Sequence, residues 1–255
     1  MLNFLRNMTL LNKIQNTTHK LLAVLIDPEK ESIAQIKIRA KQIQEAGADF
    51  IFIGGSLTSD DTDQKAAAIK EVSSLPLISF PGNILQITDH ADALLLLSLI
   101  SGRNPELLIG QHVTAAPLLK RKHFEIISVG YMLIDGGQSS SVQYISNTNP
   151  IPADKPDIAA ATAYAGEMLG LKLIYLEAGS GAKQTVSSEV ISAVKKNIRI
   201  PLITGGGIKT KETLKSVCSA GADVVVVGNL FETKPLLMKE FSQIVHSYTL
   251  NGLII

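Results

Sequence analysis

Apolar residues in this chain fall into eight short runs, separated by stretches in which apolar positions recur every three to four residues. The runs are Leu21–Asp27, Phe50–Gly55, Pro76–Pro81, Ala93–Leu99, Glu125–Asp135, Leu173–Ala178, Pro201–Gly205 and Val224–Gly228. Unbroken hydrophobicity, as in Val224 to Val227, marks strands covered on both faces, which parallel sheets require because crossover helices shield them. Between the runs, Ile33, Ile36, Ala40 and Ile43 lie at helical spacing, and similar patterns occupy about 106–120, 156–170, 187–197 and 209–219. Eight strands alternating with helices predict an α/β fold, a TIM-type (β/α)8 barrel forming a single domain over residues 1–255. Only Gly82 to Asp92 separates the third run from the fourth, too little for two loops and a full helix. The third helix is therefore expected to be missing or replaced by irregular backbone, leaving a gap that could admit something long.

An internal echo supports the barrel. Ala46-Gly-Ala-Asp-Phe-Ile-Phe-Ile-Gly-Gly55 and Ala220-Gly-Ala-Asp-Val-Val-Val-Val-Gly-Asn229 repeat one design of helix stop, strand and loop, with Gly47 and Gly221 suited to the left-handed turn that ends a helix. The echo speaks to fold and not to chemistry. Composition narrows the setting: with 45% hydrophobic residues there is enough apolar mass for a barrel core. The 24 basic and 23 acidic residues leave a net charge of +1, so no global field draws the chain to nucleic acid or anionic lipid. The longest apolar stretch, Leu94–Leu97 resuming at Leu99-Ile100, is far short of the roughly 18 residues of a membrane span. The N-terminus lacks an apolar signal segment, and the lone Cys218 reads as a core residue in a reducing compartment, so a cytoplasmic location is expected.

The candidate chemistry lies directly after three of the runs, in Tyr175-Leu-Glu-Ala-Gly-Ser-Gly181, Thr204-Gly-Gly-Gly-Ile208 and Val227-Gly-Asn-Leu230. In a barrel the loops after the strands form the working face, and phosphate commonly binds after strands seven and eight. Glycines 205 to 207 let backbone approach an anion closely, a helix beginning near Lys209 would aim unpaired amides at it, and Gly228-Asn229 would form the opposite jaw. By strand alternation Tyr175 and Glu177 share a facing, so a phenol and a carboxylate point together into the mouth. Glu177 there could accept a proton from a substrate hydroxyl with Tyr175 orienting it; a structural Glu capping a neighbouring amide is the plainer alternative.

Across the mouth, Asp27 ends the first run and Ser56 follows Gly54-Gly55. One carboxylate, one hydroxyl and phosphate oxygens suit a partly hydrated Mg²⁺. Spacing alone allows equally that Asp27 caps the next helix. Asp60-Asp61-Thr62-Asp63 lies where the second helix begins, and its acids suit a first turn better than a metal. Histidines 19, 90, 112, 123 and 246 show no ligand spacing, so a zinc site is not expected. No lysine ends an apolar run, which speaks against a Schiff-base aldolase.

With these residues assembled, the chain resembles the geranylgeranylglyceryl phosphate synthase family, which includes the heptaprenylglyceryl phosphate synthases. The resemblance runs nearly end to end, through Leu22-Ala-Val-Leu-Ile-Asp-Pro-Glu-Lys30, Phe52-Ile-Gly-Gly-Ser56, Ser101-Gly-Arg-Asn-Pro105, the Tyr175–Gly181 segment, Pro201–Ile208 and Val227-Gly-Asn229. It implies a modified TIM barrel that transfers a prenyl group from its diphosphate to the 3-hydroxyl of sn-glycerol 1-phosphate with Mg²⁺, a step of ether phospholipid synthesis. It further implies Asp27 and Ser56 near the metal and Glu177 as the base. Around glycerol phosphate it places Tyr175, Leu176, Glu177, Ala178, Gly179, Ser180, Gly181, Gly206, Gly207, Gly228 and Asn229, with the tail along an apolar groove beside the barrel. The heptaprenyl branch carries lysine two residues before the metal aspartate, where Leu25 stands here, which points to geranylgeranyl diphosphate as donor.

Arg103 is a candidate diphosphate contact, and the segment from Gly136 through Pro156 either covers the site or is an ordinary surface loop. The apolar terminus Leu250–Ile255 suggests subunit contact in a homo-oligomer. No membrane span is expected, at most transient contact with a membrane. The competing readings are a barrel isomerase or synthase acting on a sugar phosphate, and a non-catalytic phosphate-ligand sensor or scaffold.

Overall fold

A computed structural model describes residues 9–55 and 62–250. Eight parallel strands close into a barrel in chain order: β1 (Leu21–Ile26), β2 (Phe50–Ile53), β3 (Leu77–Ser79), β4 (Ala93–Leu99), β5 (Glu125–Leu133), β6 (Leu173–Glu177), β7 (Leu202–Gly205) and β8 (Val224–Val227). Every apolar run contains one strand, and β1 pairs with both β2 and β8, which closes the sheet. Side chains alternate between two cores. Ala23, Phe52, Ile78, Val129, Tyr175 and Val226 fill the barrel interior, while Leu22, Ile51, Leu176, Leu202 and Val225 face the helices.

The described α-helices are α1 (Leu10–Asn16), α2 (Ile33–Glu45), α3 (Thr62–Val72), α4 (Gln111–Leu119), α5 (Ser141–Ser146), α6 (Pro156–Met168), α7 (Ser188–Asn197), α8 (Lys211–Ala220), α9 (Asn229–Thr233) and α10 (Leu237–His246). Ser32 starts α2 with a reciprocal capping box closed by Gln35, so Asp27 is not that helix's cap. Between β3 and β4 the described chain makes only one 3₁₀ turn, Ile84–Gln86, as the short interval predicts. The outward faces of Leu94 and Leu96 on β4 therefore pack against Ile84, Ile87 and α4 instead of a full crossover helix.

The echoed segments perform one structural task twice. Gly47 and Gly221 take φ of +79° and +120° at helix ends, and each following aspartate accepts an amide at the start of the neighbouring strand. Asp49 Oδ2 accepts the Leu22 amide at 2.9 Å, and Asp223 Oδ2 accepts the Leu202 amide at 2.8 Å. Helix α1, for which the sequence pattern offers no signal, closes the barrel floor: Leu10 and Ile14 join the interior core, and the Glu125 carboxylate accepts the amides of Leu10 and Leu11. Cys218 is fully buried and burial pushes its thiol up to about 12, as befits an inert core residue.

Candidate active site

The carboxyl ends of the strands border a cavity of about 1210 Å³ that runs from the barrel axis over the rim to the outside of β4. Its polar end is lined by Asp27, Lys30, Glu177, Ser180, Gly181, Gly206, Gly207, Gly228 and Asn229. Its apolar arm starts at Leu97 and Leu107, which pack on the interior core, and continues past Ile84, Ile87, Leu94 and Leu96 along the gap left by the absent third helix. The two ends are continuous, so one ligand could be polar at the mouth and greasy along its length.

Tyr175 and Glu177 stand on the inward face of β6, as alternation predicts. Tyr175 stacks on Phe80 with ring centroids 5.1 Å apart and also meets Tyr131, making an aromatic floor beneath the carboxylate. Glu177 is buried, and that burial lifts its carboxyl to about 7; the Gly179 amide, which it accepts at 2.6 Å, and the nearby Tyr175 hydroxyl favour the anion and pull back only part of the way. The Tyr175 hydroxyl is buried without a well-directed partner, although it stands with Glu177 Oε2 over the Cα of Gly205. A buried hydroxyl in that state is an opening for a ligand oxygen.

The glycine cradle faces this acid. Gly206 and Gly207 have φ of +84° and +70°, a conformation that side chains disfavour. A Cβ on Gly206 would lie 2.5 Å from Glu177 Oε1, so the backbone at 206 passes directly beside the carboxylate. Helix α8 begins at Lys211, and Thr210 caps it by accepting the Thr213 amide, so its first turn is less open to an anion than the sequence suggests. The start of α9 is different: Gly228 offers no side-chain cap and lines the cavity with Asn229. Asn229 donates a hydrogen bond of 3.2 Å to the Ser180 hydroxyl, joining the start of α9 to the loop after β6.

Other expected residues sort by geometry. Leu176 and Ala178 point into the outer core, so only their backbone can serve the mouth; strand alternation turns their side chains away. The Gly179 amide is committed to Glu177. Arg103 does not reach the cavity: its guanidinium donates to the carbonyls of Ile100 and Gly102 and borders a separate hollow beside α6. Ser56, Asp60, Asp61 and the terminus from Asn251 lie outside the described residues. Asp63 is in the first turn of α3, where it accepts the Thr88 hydroxyl at 2.7 Å.

Several site residues receive no role from the sequence. Lys30 reaches from the β1 loop to Asn229 Oδ1 at 3.1 Å and Glu232 at 3.0 Å, with Asp27 Oδ2 at 3.7 Å. Phe80 and Tyr131 become part of the site only because the barrel closes. Helix α5, within the 136–156 segment, turns Val142, Tyr144 and Ile145 toward the cavity. The one legible clue was its polar N-cap, Ser140, which accepts the Gln143 amide.

A closed barrel bearing a buried acid, glycine loops and an apolar arm on one rim has the build of a (β/α)8-barrel enzyme. The match to known proteins is more specific: the PcrB family model matches residues 14–247, and the chain belongs to that family. A geranylgeranylglyceryl phosphate synthase of Chitinophaga pinensis is 49% identical over 89% of this chain and 91% of the relative. The wild-type GGGPS structure from Thermoplasma volcanium superposes with a TM-score of 0.87 at 35% identity, covering 97% of this chain and all of that one. The (S)-3-O-geranylgeranylglyceryl phosphate synthase of Thermoplasma acidophilum, solved in complex with its substrate sn-glycerol-1-phosphate, superposes at 0.88 with 33% identity, covering 94% and 99% of the two chains. No described helix is long and apolar enough to cross a membrane.

Proposed function

We propose that this chain is a prenyltransferase that joins geranylgeranyl diphosphate to the 3-hydroxyl of sn-glycerol 1-phosphate, releasing diphosphate. The observation that carries this reading is the continuity of the cavity: the Glu177 mouth and the apolar arm beside β4 are one space. A sugar-phosphate isomerase would need the cradle but not the arm, and a sensor would need no buried acid at the cradle.

In this reading Gly206, Gly207, Gly228 and Asn229 hold the phosphate of glycerol phosphate, which aims its far hydroxyl at the donor. The hydroxyl oxygen forms a bond to the first prenyl carbon while the bond from that carbon to the diphosphate oxygen breaks. Glu177 takes the hydroxyl proton, and the Tyr175 hydroxyl orients the attacking oxygen. A carboxyl held near 7 is well matched to that task at neutral pH. Positive charge that builds on the allylic carbon is shielded from water by the arm's leucines and by the Phe80 and Tyr131 rings.

Among the described residues Asp27 offers the oxygen donor a hard cation takes: it presents its carboxylate to the cavity, with Oδ1 accepting the Glu29 amide at 3.1 Å. Asp27, with Ser56, would hold Mg²⁺, which when bound neutralises charge gathering on the leaving diphosphate. Lys30, poised among Asp27, Asn229 and Glu232, is a second counter-charge for the same group. The test is incubation of purified protein with radiolabelled glycerol 1-phosphate, Mg²⁺ and prenyl diphosphates of graded length. Labelled lipid with a maximum at the twenty-carbon donor is expected; indifference to every prenyl diphosphate would reject the proposal.

A further inference from the structure

At the opposite end of the barrel, where the strands begin, three segments far apart in sequence meet. Asp49 lies just before β2, and its Oδ2, besides accepting the Leu22 amide, is 2.8 Å from His246 Nε2 in the last turn of α10. The ring of His19, just before β1, stands edge-on to that of His246 with centroids 4.7 Å apart. One ligand atom from each of the three residues lies within 4.8 Å of the other two, and all three are half-buried. Two related aspartates show what a purely structural version looks like. Asp92 Oδ2 accepts the Leu77 amide and pairs with Lys70 at 2.8 Å; Asp223 Oδ2 accepts the Leu202 amide and pairs with Lys195 at 2.5 Å. An ammonium suffices to brace the strand at both places. At Asp49 an imidazole, His246, takes the ammonium's place with a second, His19, packed against it, and imidazoles can ligate where a protonated lysine cannot.

We propose that His19, Asp49 and His246 form a binding site for a divalent transition ion of the zinc class, remote from the catalytic mouth. Two nitrogens and one carboxylate oxygen match zinc's preference, and a water would complete four-coordination. Donor atoms around such an ion stand about 3 to 3.6 Å apart, so His246 Nε2 and Asp49 Oδ2, hydrogen-bonded at 2.8 Å, need part only slightly as the ion replaces the proton between them. The His19 donor, within 4.8 Å of the other two, moves closer when the ion binds. Magnesium, which takes oxygen donors in an octahedron, is the wrong ion for this set. Bound metal would tie the entry to β1, the entry to β2 and helix α10 together beneath the barrel.

The experiment uses the full chain without a histidine tag, stripped by chelator. Titration calorimetry with Zn²⁺ and with Co²⁺ should show one ion per chain, saturating at micromolar concentration. About 100 µM Zn²⁺ should raise the melting temperature by roughly 5 °C, the shift expected for ligand at about a hundredfold its dissociation constant. His19→Ala should weaken binding at least tenfold and erase the thermal shift, and His19→Gln serves if the alanine variant does not fold. Asp27→Ala should leave zinc affinity unchanged, which separates this site from the mouth. Absence of saturable binding below about 1 mM, equal affinity in the His19 variants, or loss of binding in Asp27→Ala would each overturn the proposal.

Discussion

Replacing Glu177 by glutamine keeps the side chain's shape and removes a charge that the fold buries. Burial is the main reason its carboxyl rises from an ordinary 4.5 to about 7, and the Gly179 amide and Tyr175 hydroxyl only partly offset it. The folded chain thus holds more protons than the unfolded chain between those two values, and its stability falls as pH rises through that window. At about 1.4 kcal/mol for each pH unit, ionising Glu177 costs the ligand-free protein on the order of 3 kcal/mol by pH 8. Glutamine does not ionise, and its carbonyl oxygen can still accept the Gly179 amide. Urea unfolding should therefore find Glu177→Gln more stable than the parent by roughly 2 to 3 kcal/mol at pH 8 and nearly equal to it at pH 4.5. The difference between the two proteins cancels other titrating groups. The same variant should retain glycerol-phosphate binding and lose about 10²-fold or more in turnover, the usual scale for a lost general base. A stability difference that does not change with pH would refute the burial argument; unimpaired turnover would remove Glu177 from the chemistry.

Three further substitutions probe neighbouring parts. Gly206→Ala should abolish detectable glycerol-phosphate binding in calorimetry and cost about 1 to 3 kcal/mol in unfolding free energy, because its Cβ would fall 2.5 Å from Glu177 Oε1 at a φ of +84°. Tyr175→Phe removes a buried hydroxyl that lacks a well-directed partner, so stability should stay within about 0.5 kcal/mol while kcat drops about tenfold or more; an unchanged kcat would show that the hydroxyl orients nothing. Leu96→Lys puts a charge into the apolar arm and should raise the KM for the twenty-carbon donor at least tenfold without altering glycerol-phosphate affinity, as steady-state kinetics with each substrate varied will report.

How much of this could be read from sequence follows from which signals are local. The strands were legible because a strand shielded on both faces must be apolar throughout, and the missing third helix was legible because eleven residues from Gly82 to Asp92 cannot hold one. Alternation correctly set Glu177 and Tyr175 facing inward. It equally turns Leu176 outward, which the motif as a whole conceals. Thr210 shows a limit of another kind: starting α8 at Lys211 and not near Lys209, a shift of two residues, supplies a cap and narrows an anion seat that the glycines alone suggest. Lys30, Phe80, Tyr131 and the His19–Asp49–His246 group are joined only by barrel closure, across sequence separations that no spacing rule registers. The histidines illustrate this most plainly, since a search for neighbouring ligands predicts none and the tertiary fold assembles two beside an aspartate.

The central claim is that one cavity holds a small phosphorylated alcohol and a long hydrocarbon so that their reacting atoms meet beside Glu177. A crystal structure with sn-glycerol 1-phosphate and a non-reactive geranylgeranyl diphosphate analogue bound together measures this directly. The account predicts the phosphate against the backbone of Gly206, Gly207, Gly228 and Asn229, the 3-hydroxyl within about 3 Å of the Glu177 carboxylate, and the tail between the Ile84–Gln86 turn and β4. A phosphate seated elsewhere, or a tail that leaves the Leu94–Leu96 groove empty, would contradict it.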